Sequence, residues 1–83
     1  MTATVSIIIG SESDLDLAKK CAEVLSSFSI DLSINVFSAH RTPDLLEQHV
    51  EEAEKGNTQI YIAIAGLAAH LAGAIASKTV KPV

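Results

Sequence analysis

The order of apolar segments predicts an α/β fold, a three-layer αβα arrangement on a parallel sheet. Three observations predict it. Three short, nearly continuous apolar or β-branched runs alternate with stretches whose apolar residues recur at three- and four-residue spacing. The first and third runs lack the in-out alternation of a one-sided sheet, so they suit strands covered on both faces. The connections are short, which leaves the helices themselves as right-handed crossovers between parallel strands.

The first run, Thr4 to Gly10 (TVSIIIG), is bounded by glycine and reads as a buried strand. From Ser13 the period changes. Ala18, Cys21, Ala22 and Leu25 fall on one helical stripe, with Ser13 as the expected N-cap and Asp14 and Asp16 in the first turn, where acids are favoured. Asp31 to Phe37 (DLSINVF) alternates before turning apolar, as a less central strand does. Thr42 and Pro43 suit the N-cap and first helical position of a second helix. Its stripe is Leu46, His49, Val50 and Ala53, and Gly56 is the expected C′ stop. Gln59 to Gly66 (QIYIAIAG) predicts a third buried strand. Leu67 to Ser77 is apolar on nearly every side and predicts a short helix packed deep against its neighbours. Val80 to Val83 looks like a fourth strand just beginning, so residues 1–83 are expected to form a single, partial α/β domain, truncated after the start of that strand. There are no repeats, linkers or low-complexity segments.

Composition narrows the function classes. With 83 residues and 48% hydrophobic content, the chain supports one small domain with a core of marginal size. A net charge of -4 argues against general nucleic-acid binding, which needs a basic face. No apolar run reaches the roughly 18 residues of a membrane span, and no secretory pattern opens the chain, so a soluble cytoplasmic protein without membrane partners is expected. The single cysteine, Cys21, lies among helical apolar positions and reads as a small core residue.

In an open parallel sheet, ligands bind in the crevice beyond the carboxyl ends of the strands. The three loops there are GSESD (Gly10 to Asp14), SAHRTP (Ser38 to Pro43) and AGLAAHLAG (Ala65 to Gly73). The first is either an ordinary capped turn or an anion site formed by Ser11, Ser13 and helix-start amides, with Asp14 accepting from sugar hydroxyls. It lacks the spacing of a dinucleotide fingerprint or a P-loop. In the second, His40 and Arg41 do nothing for the turn that Asn or Gly would not do better. Arg41 offers a planar fork for phosphate, and His40 can give and take a proton near neutrality. The third supplies Gly66, which admits close approach to the backbone, and His70, expected in the first turn of a helix as either a satisfied core residue or a ligand contact. His49, on an apolar stripe, reads as structural.

Taken together, GSESD, SAHRTP and AAHLAG closely resemble the loops of the 5-(carboxyamino)imidazole ribonucleotide mutase family, the PurE-type catalytic subunit also described as phosphoribosylaminoimidazole carboxylase. The resemblance covers the whole chain and about the first half of the usual family length. It implies a flavodoxin-like, Rossmann-like fold and migration of a carboxylate from the exocyclic nitrogen of an aminoimidazole ribonucleotide to a ring carbon. It also implies no cofactor and a homo-octameric assembly. Carried over by motif, His40 would transfer the protons, and Ser11, Asp14 and Arg41 would bind the ribose 5-phosphate. Ser13, Ser38, Ala39 and Gly66 would line the site, and His70 would sit beside the base. Leu67 stands where the family commonly has a second glycine and Ala72 where it commonly has proline. The residues RTP and AAHLAG favour the mutase over the animal-type carboxylase. The alternative is a non-catalytic nucleotide-binding module of the same fold, or an inactive truncated paralogue; a receiver domain is excluded because the third strand ends in Ala65 and Gly66 instead of a phospho-accepting aspartate.

Overall fold

The computed structural model describes residues 3–66 and 70–83. The first apolar run forms β1 (Val5–Ile9), and all five of its residues are buried. Parallel neighbours flank it, β2 (Leu32–Val36) on one side and β3 (Ile60–Ile64) on the other, giving the order β2-β1-β3 with Ile7 opposite both Ile34 and Ile62. A central strand with β-branched side chains on both faces needs a cover on each. One cover is α1 (Leu15–Ser27), whose Ala18, Cys21, Ala22 and Leu25 meet Val5, Ile7 and Ile9. On the other face lie α2 (Pro43–Lys55) and α3 (Leu71–Ala76). Their Leu46, Val50, Ala53, Leu71 and Ile75 enclose Ile8 and Tyr61. The expected three layers are present, with Cys21 as a packing residue at the margin of the first cluster.

The second face of β1 also carries a polar residue, Ser6, which is as buried as its apolar neighbours. A buried hydroxyl needs a partner, and His49 provides it, with Ser6 Oγ and His49 Nε2 2.8 Å apart. The imidazole also packs against the Phe37 ring at a centroid distance of 5.1 Å. Burial holds its pKa below the ordinary value, with Glu52 acting weakly in the opposite sense. The structural role expected for His49 is the one the contacts show.

Several local expectations are corrected. Ser13 is not the N-cap of α1. Glu12–Asp14 form one turn of 3-10 helix after Ser11, α1 starts only at Leu15, and Ser13 Oγ is bonded instead to Ser11 Oγ at 2.5 Å. Gly56 follows α2 as expected, but at φ -103 it does not use the left-handed conformation of a C′ glycine. β3 is an edge strand of this sheet, and Ile60 is left 42% exposed. The third helix is shorter and less enclosed than its composition suggested: six residues long, with only Leu71 and Ile75 buried while Ala72, Gly73 and Ala76 face outward. Alanine and glycine have too little apolar surface to demand burial, so an apolar count overstated the packing. Residue Leu67, part of that expectation, lies outside the described residues.

Residues 80–83 form no strand. They are nevertheless tied to β3 by a backbone bond from the Tyr61 amide to the Pro82 carbonyl, 3.0 Å. A side-chain clasp reinforces it. Glu54 accepts from the Tyr61 hydroxyl at 3.1 Å, from the Thr79 hydroxyl at 2.5 Å and from Lys81 Nζ at 3.1 Å. Lys81 Nζ also donates to the Thr58 carbonyl at 2.6 Å. Among the described residues, no buried side-chain polar atom lacks a partner, and no helix is long and apolar enough to cross a membrane.

Candidate active site

All three strands run parallel, so their carboxyl ends share one edge of the sheet, and the loops that follow them meet there. Gly10 permits the closest approach. Its amide donates to the Ile64 carbonyl at 3.0 Å, and a Cβ at this position would lie 3.2 Å from the Ala65 Cβ. A side chain there would push apart the two loops that frame the crevice. The crevice has a volume of about 160 Å³ and is walled by the first loop (Gly10, Ser11, Asp14), the second (Ser38, Ala39, His40) and the third (Ala65, Gly66), with Leu71 at its base. The proposed lining residues Ser11, Asp14, Ser38, Ala39, His40 and Gly66 are therefore brought together. Ser13 is exposed and touches the site through its bond to Ser11. Gly10, Ala65 and Leu71 were missed as site residues; the glycine that ends the first strand was the one available signal.

The second loop is rigid by its own hydrogen bonds. Ser38 Oγ accepts from the amides of His40 at 3.3 Å and Arg41 at 3.0 Å, while the Thr42 hydroxyl bonds both the amide and the carbonyl of Ser38. His40 projects from this loop toward the third strand end, where His70 meets it. The His40 Nε2 and His70 Nδ1 atoms lie 3.4 Å apart, and the rings cross edge to face with 5.5 Å between centroids. At that separation one nitrogen must carry a hydrogen and the other a lone pair, so the two tautomers are coupled.

His70 is not in the first turn of a helix, as expected, but one residue before it. It sits at the N-cap of α3 with φ 56, in the left-handed region that side chains other than glycine seldom adopt. That conformation is costly, and it is found where the ring turns toward His40. The Arg41 guanidinium has no hydrogen bond or ion pair with any described residue and stands two positions before the N-terminus of α2. A cation at the positive end of a helix dipole is poorly placed for stability, and the pair together suits an anion.

A larger cleft of about 470 Å³ lies between α2 and the end of α3, walled by Glu47, Val50, Glu51, Glu54, Lys55, Ser77 and Lys78. No histidine or cysteine lines it. The smaller crevice is the one that His40 lines. Among the described residues no group of three or more histidine, cysteine or carboxylate side chains is placed to hold a metal ion.

Residues 4–83 match the family described as AIR carboxylase. The chain belongs to that family. It is 49% identical over 79 residues to N5-carboxyaminoimidazole ribonucleotide mutase of Methanocaldococcus jannaschii, covering 95% of this chain and 48% of that protein. It is 48% identical over 83 residues to the protein of the same name from Pseudomonas aeruginosa, covering all of this chain and 51% of that one. In three dimensions it resembles PurE of Treponema denticola, with a TM-score of 0.89 and 32% identity over 95% of this chain and 54% of that one. The chain thus spans about half the length of these relatives, and the three-layer, flavodoxin-like arrangement is that of the family.

Proposed function

We propose that this chain supplies the proton-transfer and phosphate-holding parts of an N5-carboxyaminoimidazole ribonucleotide mutase of purine biosynthesis. It would act in the cytoplasm, without a cofactor, as a homo-oligomer whose expected form is an octamer. The observation that carries this reading is the His40–His70 pair, 3.4 Å apart at the mouth of the three-loop crevice, in a chain nearly half identical to proteins of that name.

The chemistry follows from these positions. The bond between the exocyclic nitrogen and the carboxylate carbon breaks, carbon dioxide is released within the crevice, and the nitrogen takes a proton from His40. The ring carbon then attacks the carbon dioxide and loses its proton back to the His40 imidazole. One ring acting first as acid and then as base serves both steps, and the net proton count is unchanged. Contact with His70 couples the tautomer of His40 to that of its partner at the start of the cycle. A crevice of about 160 Å³ has room for the reacting end of a ribonucleotide but not for all of it, so the ribose 5-phosphate extends outward. There Arg41 and the first loop, with Ser11 and Asp14, receive the phosphate and the sugar hydroxyls.

The test is turnover of the ribonucleotide by a complete protein containing these residues and by its His40→Asn variant, followed by product absorbance, with binding measured by calorimetry. His40→Asn keeps the size but cannot titrate, so it should bind while losing at least about 100-fold in rate, the low end of general acid-base catalysis. Turnover within about tenfold of the unaltered protein would remove His40 from the proton steps. Binding without turnover by a complete protein containing these residues would favour the non-catalytic module.

A further inference from the structure

Thr42 occupies the N-cap position of α2, where a threonine hydroxyl ordinarily accepts from an amide of its own helix, yet it makes no such bond. The hydroxyl points backward instead. It accepts from the Ser38 amide at 2.8 Å and donates to the Ser38 carbonyl at 3.2 Å, and the Thr42 amide donates to that same carbonyl at 3.0 Å. Pro43, at the first helical position, has no N–H of its own to satisfy. A ring of hydrogen bonds therefore closes residues 38–42 on themselves. Ser38 extends it to the residues between. A hydroxyl oxygen has two acceptor sites, and those of Ser38 Oγ are taken by the amides of His40 and Arg41.

We propose that Thr42 is a positioning residue for the proton-transfer step, acting through Ser38 on the backbone from which His40 and Arg41 project. The inference rests on the reading of His40 given above. The physical reason is distance. His40 is exposed, and its ring touches His70 across a sequence separation of 30 residues. Packing does not fix such a ring, so its place depends on its own main chain. A misplacement of about 1 Å is enough to cost on the order of 100-fold in rate. The hydroxyl at residue 42 holds the Ser38 main chain from which that loop is tied, and the helix that follows forgoes its side-chain cap as a result.

The experiment compares Thr42→Val, which keeps the shape and removes the hydroxyl, with Thr42→Ser, which keeps the hydroxyl, in the whole chain. Amide hydrogen exchange is read by NMR. For Thr42→Val, exchange at Ser38, His40 and Arg41 should rise at least about tenfold while Val50 and Ala53 in α2 keep their protection. Thr42→Ser should leave all five unchanged. In turnover, Thr42→Val should lower kcat at least about tenfold, and Thr42→Ser should restore it. Equal loss of protection throughout α2 would make Thr42 an ordinary helix cap and overturn the proposal, as would unchanged exchange in the loop or an unchanged kcat. Should Thr42→Val not fold, Ser38→Ala takes its place, because it must free the His40 and Arg41 amides alone. A Thr42→Ser protein that exchanges unlike the unaltered chain would also overturn the proposal. His40→Asn is the control: if it keeps its turnover, the reading of His40 fails, while the exchange pattern still decides whether Thr42 governs the loop.

Discussion

Replacing Glu54 by alanine should be strongly destabilising although the residue lies outside both the core and the crevice. Its carboxylate receives the Tyr61 and Thr79 hydroxyls and pairs with Lys81, so α2, β3 and the segment after α3 meet at one side chain. Two hydrogen bonds to a charged acceptor are worth about 1.5 kcal/mol each. A partly exposed ion pair adds about 0.5 kcal/mol. Their sum, about 3.5 kcal/mol, corresponds to a fall in Tm of roughly 15 °C or more in a domain of this size. Glu54→Gln keeps one acceptor oxygen and loses the charge, and about half that effect is expected. Urea unfolding followed by circular dichroism measures both.

The pH dependence gives a second, independent reading of the same clasp. The Thr79 hydroxyl above all, helped by Lys81 and Tyr61 and opposed by partial burial, holds the Glu54 carboxyl below its ordinary value of 4.5. A carboxylate with a depressed folded pKa stabilises the fold above the unfolded value, and that contribution is lost as pH falls through the folded one. The stability gap between the unaltered chain and Glu54→Ala should therefore be full at pH 7 and shrink below about pH 4.5. At the alkaline end, burial and then the neighbouring Glu54 push Tyr61 up to about 12. Its O–H bond is therefore intact below pH 10 and is lost as pH rises toward that value. The chain has one tyrosine and no tryptophan, so absorbance near 295 nm reports Tyr61 alone. A destabilisation by Glu54→Ala below about 0.5 kcal/mol, or a gap that ignores pH between 7 and 3, would refute the clasp.

Arg41→Ala should raise KM for the ribonucleotide by tenfold or more with a smaller change in kcat, since a charge-assisted contact to phosphate exists in ground and transition states alike; Arg41→Lys should recover only part of it, and an unchanged KM would put the phosphate elsewhere. Gly10→Ala should destabilise by about 1 kcal/mol or more and weaken ligand binding, because its Cβ would crowd Ala65 at 3.2 Å. By contrast Gly73→Ala, in an exposed position of α3 where a Cβ meets nothing within 4 Å, should raise stability by about 0.5–1 kcal/mol in the same urea assay.

Much of the fold was legible from residue order, because strand and helix periods are local properties. The β-branched run of β1, the stripe of α2 and the Thr42–Pro43 start each follow from neighbours within a few positions, and parallel pairing follows from the crossovers. Convergence of the three loops was legible for the same reason: parallel topology alone sends them to one edge. Local signals failed where a hydroxyl had more than one partner within a few residues. Ser13 has the chemistry of a cap, but the 3-10 turn after Ser11 moved the helix start beyond it. Thr42 sits at the cap position while its hydroxyl serves Ser38.

The sequence by itself determined the order of three strands and three helices, the buried stripes of α1 and α2, and that His40 and Arg41 follow the carboxyl end of β2. The tertiary structure alone decided that His70 meets His40, that Ser6 needs His49, and that Glu54 gathers Tyr61, Thr79 and Lys81. The reason is physical. Periodicity encodes the direction in which a side chain leaves its own element. A hydrogen bond needs two atoms within about 3 Å from elements tens of residues apart, and that distance exists only once the layers have packed.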